Sequence, residues 1–161
     1  MRIKKIMPLL TLLAMPLLLF AKGTVRPGQI WPDNRGIHIN AHGGGILYHD
    51  GTYYWFGEHK ADTTSCAMVG VPCYSIRNLT ERNYCCVALQ VFDEQGSVHE
   101  CGCLLERPKV IYNAKTRKFV MWFHLGLKGL DYRAARAGVA VADKVTGPYK
   151  FLRSGRVNAY R

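Results

Sequence analysis

The stretch at residues 39–58, INAHGGGILYHDGTYYWFGE, constrains the whole chain. It sets Asp50-Gly51 between a short apolar run and a strongly aromatic one, the strongest short-range signal for a tight β-hairpin. Three glycines, Gly43, Gly44 and Gly45, follow His42 at its entrance, where bare backbone can approach a ligand closely. Glu58 stands at its exit. A related pattern returns once: Glu106-Arg107-Pro108-Lys109-Val110-Ile111-Tyr112-Asn113, a turn at 114–117, then Lys118-Phe119-Val120-Met121-Trp122-Phe123-His124. The chain reads as two copies of one sheet unit.

Strands are expected at about 46–49, 53–58, 69–76 and 85–92, and again at about 109–112, 118–125, 137–142 and 149–152. The aromatic second strands are offset by about 66 residues, and Gly70-Val71 and Gly138-Val139 by 68, which marks an internal repeat. Helical periodicity is nearly absent after the first 21 residues; 131–136 is long enough only for a loop turn. An all-β chain of repeated four-stranded antiparallel units suggests β-propeller blades. A blade cannot bury both of its faces, and rings need roughly four to eight of them. With two blades and no closing strand, residues 22–161 are expected to be the front part of a longer propeller domain.

Arg2, Lys4 and Lys5 precede an apolar run at 6–21 interrupted by Pro8 and Pro16, the pattern of a secretory signal at 1–21 rather than a membrane span. The expected location is secreted or periplasmic, with no membrane association after cleavage. Removing that leader leaves 19 basic against 11 acidic groups, a formal charge of +8. The basic residues are scattered and accompany no nucleic-acid motif, so a solvated basic surface is expected and nucleic acid is not a partner. Six cysteines (Cys66, Cys73, Cys85, Cys86, Cys101 and Cys103) are adjacent or one apart in their close pairs, which does not match zinc-knuckle spacing. They fit one or two disulfides in an oxidising compartment, or buried thiols.

The ordered run AHGGGILYHDGTYYWFGEHK, GVPCYSIRNL, ERPKVIYNAKTRKFVMWFH, AGVAVAD and GPYKFLRS resembles glycoside hydrolase family 43. The similarity covers about residues 30–156, and the nearest branch is that of the exo-β-1,3-galactanases. The resemblance implies a five-bladed propeller around a sugar-binding funnel, and hydrolysis of a β-1,3-galactan or arabinogalactan-type polysaccharide with inversion. A non-catalytic carbohydrate-binding propeller is the alternative. No cofactor is implied; an axial structural calcium is compatible with the fold, but no ligand cluster demands one, and no metal site is assigned.

Inversion needs a carboxylic acid and a base some 6.5–9.5 Å apart, so the two come naturally from different blades. The family's usual base is an Asp at the start of the first blade. Here that region reads Ala41-His42-Gly43-Gly44-Gly45, as in the galactanase-like branch, and the base is unassigned. The acid is expected beyond Arg161, which would leave this chain inactive alone. By resemblance Glu106 is the catalytic or sugar-contacting carboxylate; its other reading is an ion pair with Arg107 or a neighbour that fixes the strand entrance. Glu58 either accepts from sugar hydroxyls or pairs with Lys60. His42, Tyr132 and His124 complete the candidate substrate-binding set, Tyr132 with a packed-loop alternative and His124 with a core one. Trp55, Phe56, Trp122 and Phe123, all mid-strand, are expected in the core between blades.

Overall fold

The computed structural model describes residues 25–93, 95 and 97–157; the leader expected at 1–21 lies outside them. Asp50 and Gly51 both adopt positive φ, 47° and 74°, as a two-residue turn matched to strand twist requires. That turn joins β1 (His42–His49) to β2 (Thr52–Glu58), and β3 (Gly70–Asn78) and β4 (Glu81–Gln90) follow in order. A second sheet repeats the arrangement with β5 (Leu104–Asn113), β6 (Lys118–Gly126), β7 (Arg136–Ala142) and β8 (Lys150–Arg156). Each sheet is a four-stranded antiparallel meander in chain order. A single turn of 3-10 helix, Asp131–Arg133, lies between β6 and β7.

The first strand of each sheet starts about four residues earlier than expected, at His42 and Leu104. Glycine and proline count against strand, yet both are tolerated where the ladder bulges. In β1 the register shifts between His42 and Gly45; in β5 it shifts between Glu106 and Lys109, around Pro108. Gly43 and Arg107 sit inside these bulges, each at φ 53°. One extra residue in the same place bends the same strand of both sheets.

One hydrophobic core is shared by the two sheets, built from Phe56, Val71, Cys73 and Leu89 on one side and Val110, Met121, Phe123 and Leu125 on the other. At the contact of β1 with β5, a Cβ on Gly45 would stand 2.7 Å from the Pro108 carbonyl oxygen. Lys109 Nζ donates to the Gly44 carbonyl across the same seam, at 2.6 Å. The glycine triplet, expected to open backbone to a ligand, instead lets protein pack on protein. Gly43 lies against the Glu58 carboxylate, Gly44 against the Trp55 ring and Gly45 against β5.

The alternation of β6 buries Phe119, Met121, Phe123 and Leu125 and turns Trp122 to the opposite face, where it is 47% exposed. Trp122 therefore leaves the expected core set. Trp55 leaves it too, packing half-buried against Tyr74 in a small separate cluster with Ile39 and Ala41. Phe56 and Phe123 stay in the core. All six cysteines are thiols, with Cys73 and Cys103 buried. Burial pushes the Cys103 thiol up to about 12. Among the described residues no helix is long and apolar enough to cross a membrane.

The connection from β4 to β5 is fastened by His99, buried between Phe92 (T-shaped, 5.1 Å) and Phe151 of β8 (stacked, 4.9 Å). Its Nδ1 has no hydrogen-bond partner, and burial holds the imidazole below its ordinary value of 6.5. A lowered folded-state value makes this contribution complete above the unfolded pKa and lost as pH falls through the folded one. Urea midpoints at pH 7.5 and pH 5.5 should therefore differ more in the wild type than in His99→Phe, which keeps the aromatic stack and removes the titration.

Candidate active site

The two bulges decide what faces what at the seam. In the first sheet His42 of β1 pairs across the ladder with Glu58 of β2; in the second, Glu106 of β5 pairs with His124 of β6. The repeat thus offers an imidazole and a carboxylate at equivalent positions, with the strands exchanged. Glu58 and Glu106 are both 6% exposed, and both lie where β2 and β5 approach each other.

Two buried carboxylates side by side repel unless donors and a cation surround them. Lys60, two residues beyond β2, supplies the cation. Its Nζ lies 2.8 Å from Glu58 Oε2 and 3.3 Å from Glu106 Oε1. Glu106 also accepts from the Tyr132 hydroxyl at 2.8 Å and faces His124 Nδ1 at 3.2 Å. An ionised carboxylate only accepts, so this contact requires the proton on His124 Nδ1. The His124 and Tyr132 rings stack, 5.6 Å apart and 4° from parallel, which fixes both donors on one carboxylate.

Burial pushes the Glu106 carboxyl upward, but the bonds from Tyr132, His124 and Lys60 outweigh it and hold the group below its ordinary value. Burial likewise opposes the Lys60 charge, and the Glu58 and Glu106 carboxylates overcome it and raise the ammonium. Tyr132 is raised because its proton is committed to Glu106. Glu58 Oε1 accepts from the Arg107 backbone amide at 2.8 Å. Arg107 is a non-glycine residue in the left-handed region, a conformation costing roughly 1–2 kcal/mol that surrounding contacts must offset. The Glu58 bond is one such contact.

The structure therefore brings Glu58, Glu106, His124 and Tyr132 into one connected cluster. Tyr132 is no packed loop residue: it is 59% exposed and reaches in from the 3-10 turn by its hydroxyl. His124 is half-buried and bound to Glu106 rather than closed in the core. Glu106 pairs with Lys60, not with Arg107, and Glu58 does pair with Lys60 while also holding the β5 bulge. His42 stands apart: it is exposed and makes no side-chain hydrogen bond among the described residues. Lys60 is the member that sequence reasoning placed only as a charge partner of Glu58. The available signal was its position two residues after the strand-end carboxylate. A groove of about 350 Å³ flanks the cluster on the open face of the second sheet, lined by Arg107, Lys109, Trp122, His124 and Arg136 among others. Among the described residues no group of three or more His, Cys, Asp or Glu side chains could hold a metal ion.

No protein-family model matches the chain, and no curated protein does. Solved structures match closely. A family 43 β-1,3-galactosidase with galactodeoxynojirimycin is 56% identical over 81% of this chain, with a TM-score of 0.79. An exo-β-1,3-galactanase from Phanerochaete chrysosporium with galactose is 37% identical over 80%, TM-score 0.73. An exo-β-1,3-galactanase from Clostridium thermocellum is 39% identical over 79%, TM-score 0.69. The chain spans only 38%, 29% and 26% of the lengths of these three proteins. Two bulged sheets sharing one core, a carboxylate pair at their seam and identities of this size carry one conclusion: the chain belongs to glycoside hydrolase family 43, among its β-1,3-galactosidases and exo-β-1,3-galactanases.

Proposed function

We propose that the protein is an exported glycoside hydrolase that cleaves β-1,3-linked galactan with inversion, and that its two sheets are the first two blades of a five-bladed ring. The observation that carries the reading is the Glu58–Lys60–Glu106 cluster, two buried acceptors fixed beside an exposed tyrosine in a chain 56% identical to a β-1,3-galactosidase. Sugar hydroxyls are donors, and a preformed pair of ionised acceptors orients them without reorganisation.

Glu106 serves here as an ionised acceptor that contacts the sugar and assists the reaction, not as the general acid. A group held below its ordinary pKa has no proton to deliver near neutral pH. Glu58 and Glu106 share one ammonium, at 2.8 and 3.3 Å from their oxygens, so both are held as paired acceptors rather than as an acid facing a base. On this reading the acid and base of the inversion are not this pair. His42, at the exposed end of β1, is a further sugar donor.

The test is proton NMR of a β-1,3-galactobiose digest by the full-length protein. Inversion should release galactose first as the α-anomer, before mutarotation. A β-anomer product would end the inverting assignment. Saturable binding of the disaccharide without cleavage would move the protein to the second reading, a carbohydrate-binding propeller, which the same acceptor cluster also fits.

A further inference from the structure

The charge between the two carboxylates is itself held from outside the sheets. Lys60 lies beyond the end of β2, in a segment whose backbone belongs to neither ladder. Asn40, on the lead-in strand side of β1, binds that backbone twice: its Nδ2 donates to the Lys60 carbonyl at 2.6 Å, and its Oδ1 accepts from the Lys60 amide at 2.8 Å. Asn40 in turn is anchored, its own amide donating to the Tyr74 hydroxyl at 3.2 Å. Tyr74 is buried in the cluster with Ile39 and Ala41, which flank Asn40 in sequence. A rigid path therefore runs from an apolar cluster through one carboxamide to one ammonium.

The Lys60 ammonium has three N–H donors and three acceptors: Glu58 Oε2, Glu106 Oε1 and, at 3.2 Å, the Ser65 carbonyl. The ammonium is thus turned toward protein acceptors on three sides. We infer that Asn40 and Lys60 act together as a positioning pair for the candidate site: Asn40 fixes the Lys60 backbone, and Lys60 holds Glu58 and Glu106 in place as acceptors without touching substrate. The inference rests on the galactan-site reading for its functional consequence, while the clamp itself stands on the contacts alone.

The charged and titratable groups facing Glu106 are Lys60 and Glu58 from β2 and its extension, His124 from β6, Tyr132 from the 3-10 turn and Arg107 beside it in β5. Lys60 contacts Glu106 directly, and an opposite charge at this range favours the ionised carboxylate, one of the causes that hold Glu106 below its ordinary value. A lowered value keeps the acceptor form present above the ordinary carboxylate range and loses it as pH falls through the lowered value. Removing Lys60 therefore moves the loss of binding to higher pH.

The experiment uses the full-length protein and β-1,3-galactobiose, with binding followed by calorimetry from pH 4 to pH 8. Lys60→Met should shift the acidic loss of affinity upward, toward the ordinary carboxylate range. Asn40→Ala, which retains the ammonium but frees its backbone, should shift it in the same direction by less, and Lys60→Arg should return it toward the wild-type position. Variants that fold and keep the wild-type pH profile overturn the inference. Should Lys60→Met fail to fold, Asn40→Ala decides by the same profile. A carbon-13 carboxyl titration of the wild type is independent of sugar: Glu106 titrating at or above the ordinary glutamate value overturns the clamp. Wild-type protein that binds no galactobiose, with Glu106 titrating low, overturns the galactan reading and leaves the clamp standing.

Discussion

Glu106→Gln should lower cleavage of β-1,3-galactan by the full-length protein at least tenfold, with the fold intact by circular dichroism. The substitution is nearly isosteric but places a carboxamide where Lys60, His124 and Tyr132 all donate. One side of the amide then meets a donor with a donor. A hydrogen bond to a charged group contributes about 1.5–3 kcal/mol, which converts to roughly ten- to 150-fold in rate if felt in the transition state. Lys60 then keeps only Glu58 as its ion-pair partner, so the charge that fixed Glu106 no longer holds the side chain in place. Kinetics should show the loss in kcat/KM. Unchanged turnover would remove Glu106 from the site and with it the role given to the cluster.

The largest effect on stability is expected at Phe56. Its side chain is fully buried in β2 and meets the ring of Tyr149, just before β8, edge-on at 6.1 Å and 82°. Phe→Ala in such a position costs about 3–5 kcal/mol, from lost transfer energy and from the cavity left behind. A domain is stable by only about 5–15 kcal/mol, so chemical denaturation should show a large fall in midpoint. Trp122→Ser is the matched control. It deletes a larger ring, but one 47% exposed on the outer face of β6, and should cost less than Phe56→Ala. Equal losses at the two positions would mean that the outer face of the second sheet is covered as thoroughly as the seam between the sheets.

Much of this architecture was legible beforehand, because it depends on local chemistry. Asp50-Gly51 supplies two residues able to take positive φ, between a short apolar run and a strongly aromatic one. All eight strands overlap the expected ranges, although β1, β4 and β5 begin four or five residues earlier. What the chain order did not carry was the bulge. Gly43–Gly45 and Pro108 read as interruptions; paired with their neighbours, they are the positions where one extra residue fits and where β1 and β5 come close enough to exclude a side chain. Trp122 lies outside the core shared by the two sheets for a related reason. A mid-strand aromatic is buried only if its parity matches the face the partner sheet covers, and parity is set by the register around the bulge.

The same division holds in the site. Glu106, Glu58, His124 and Tyr132 could be nominated individually, since each is a polar group at the end of a strand or on a turn beside one. That they form one cluster depends on Lys60 Nζ, which joins residues 48 positions apart in chain, and on an Asn40 clamp reaching 20 positions forward. The sequence by itself determined the strands, the twofold repeat and the candidate carboxylates, because hydrophobic period and turn geometry act over a few residues. Only the tertiary structure decided which carboxylate shares which cation and which aromatic faces water, because charge and burial depend on distances that loops and bulges set across the seam.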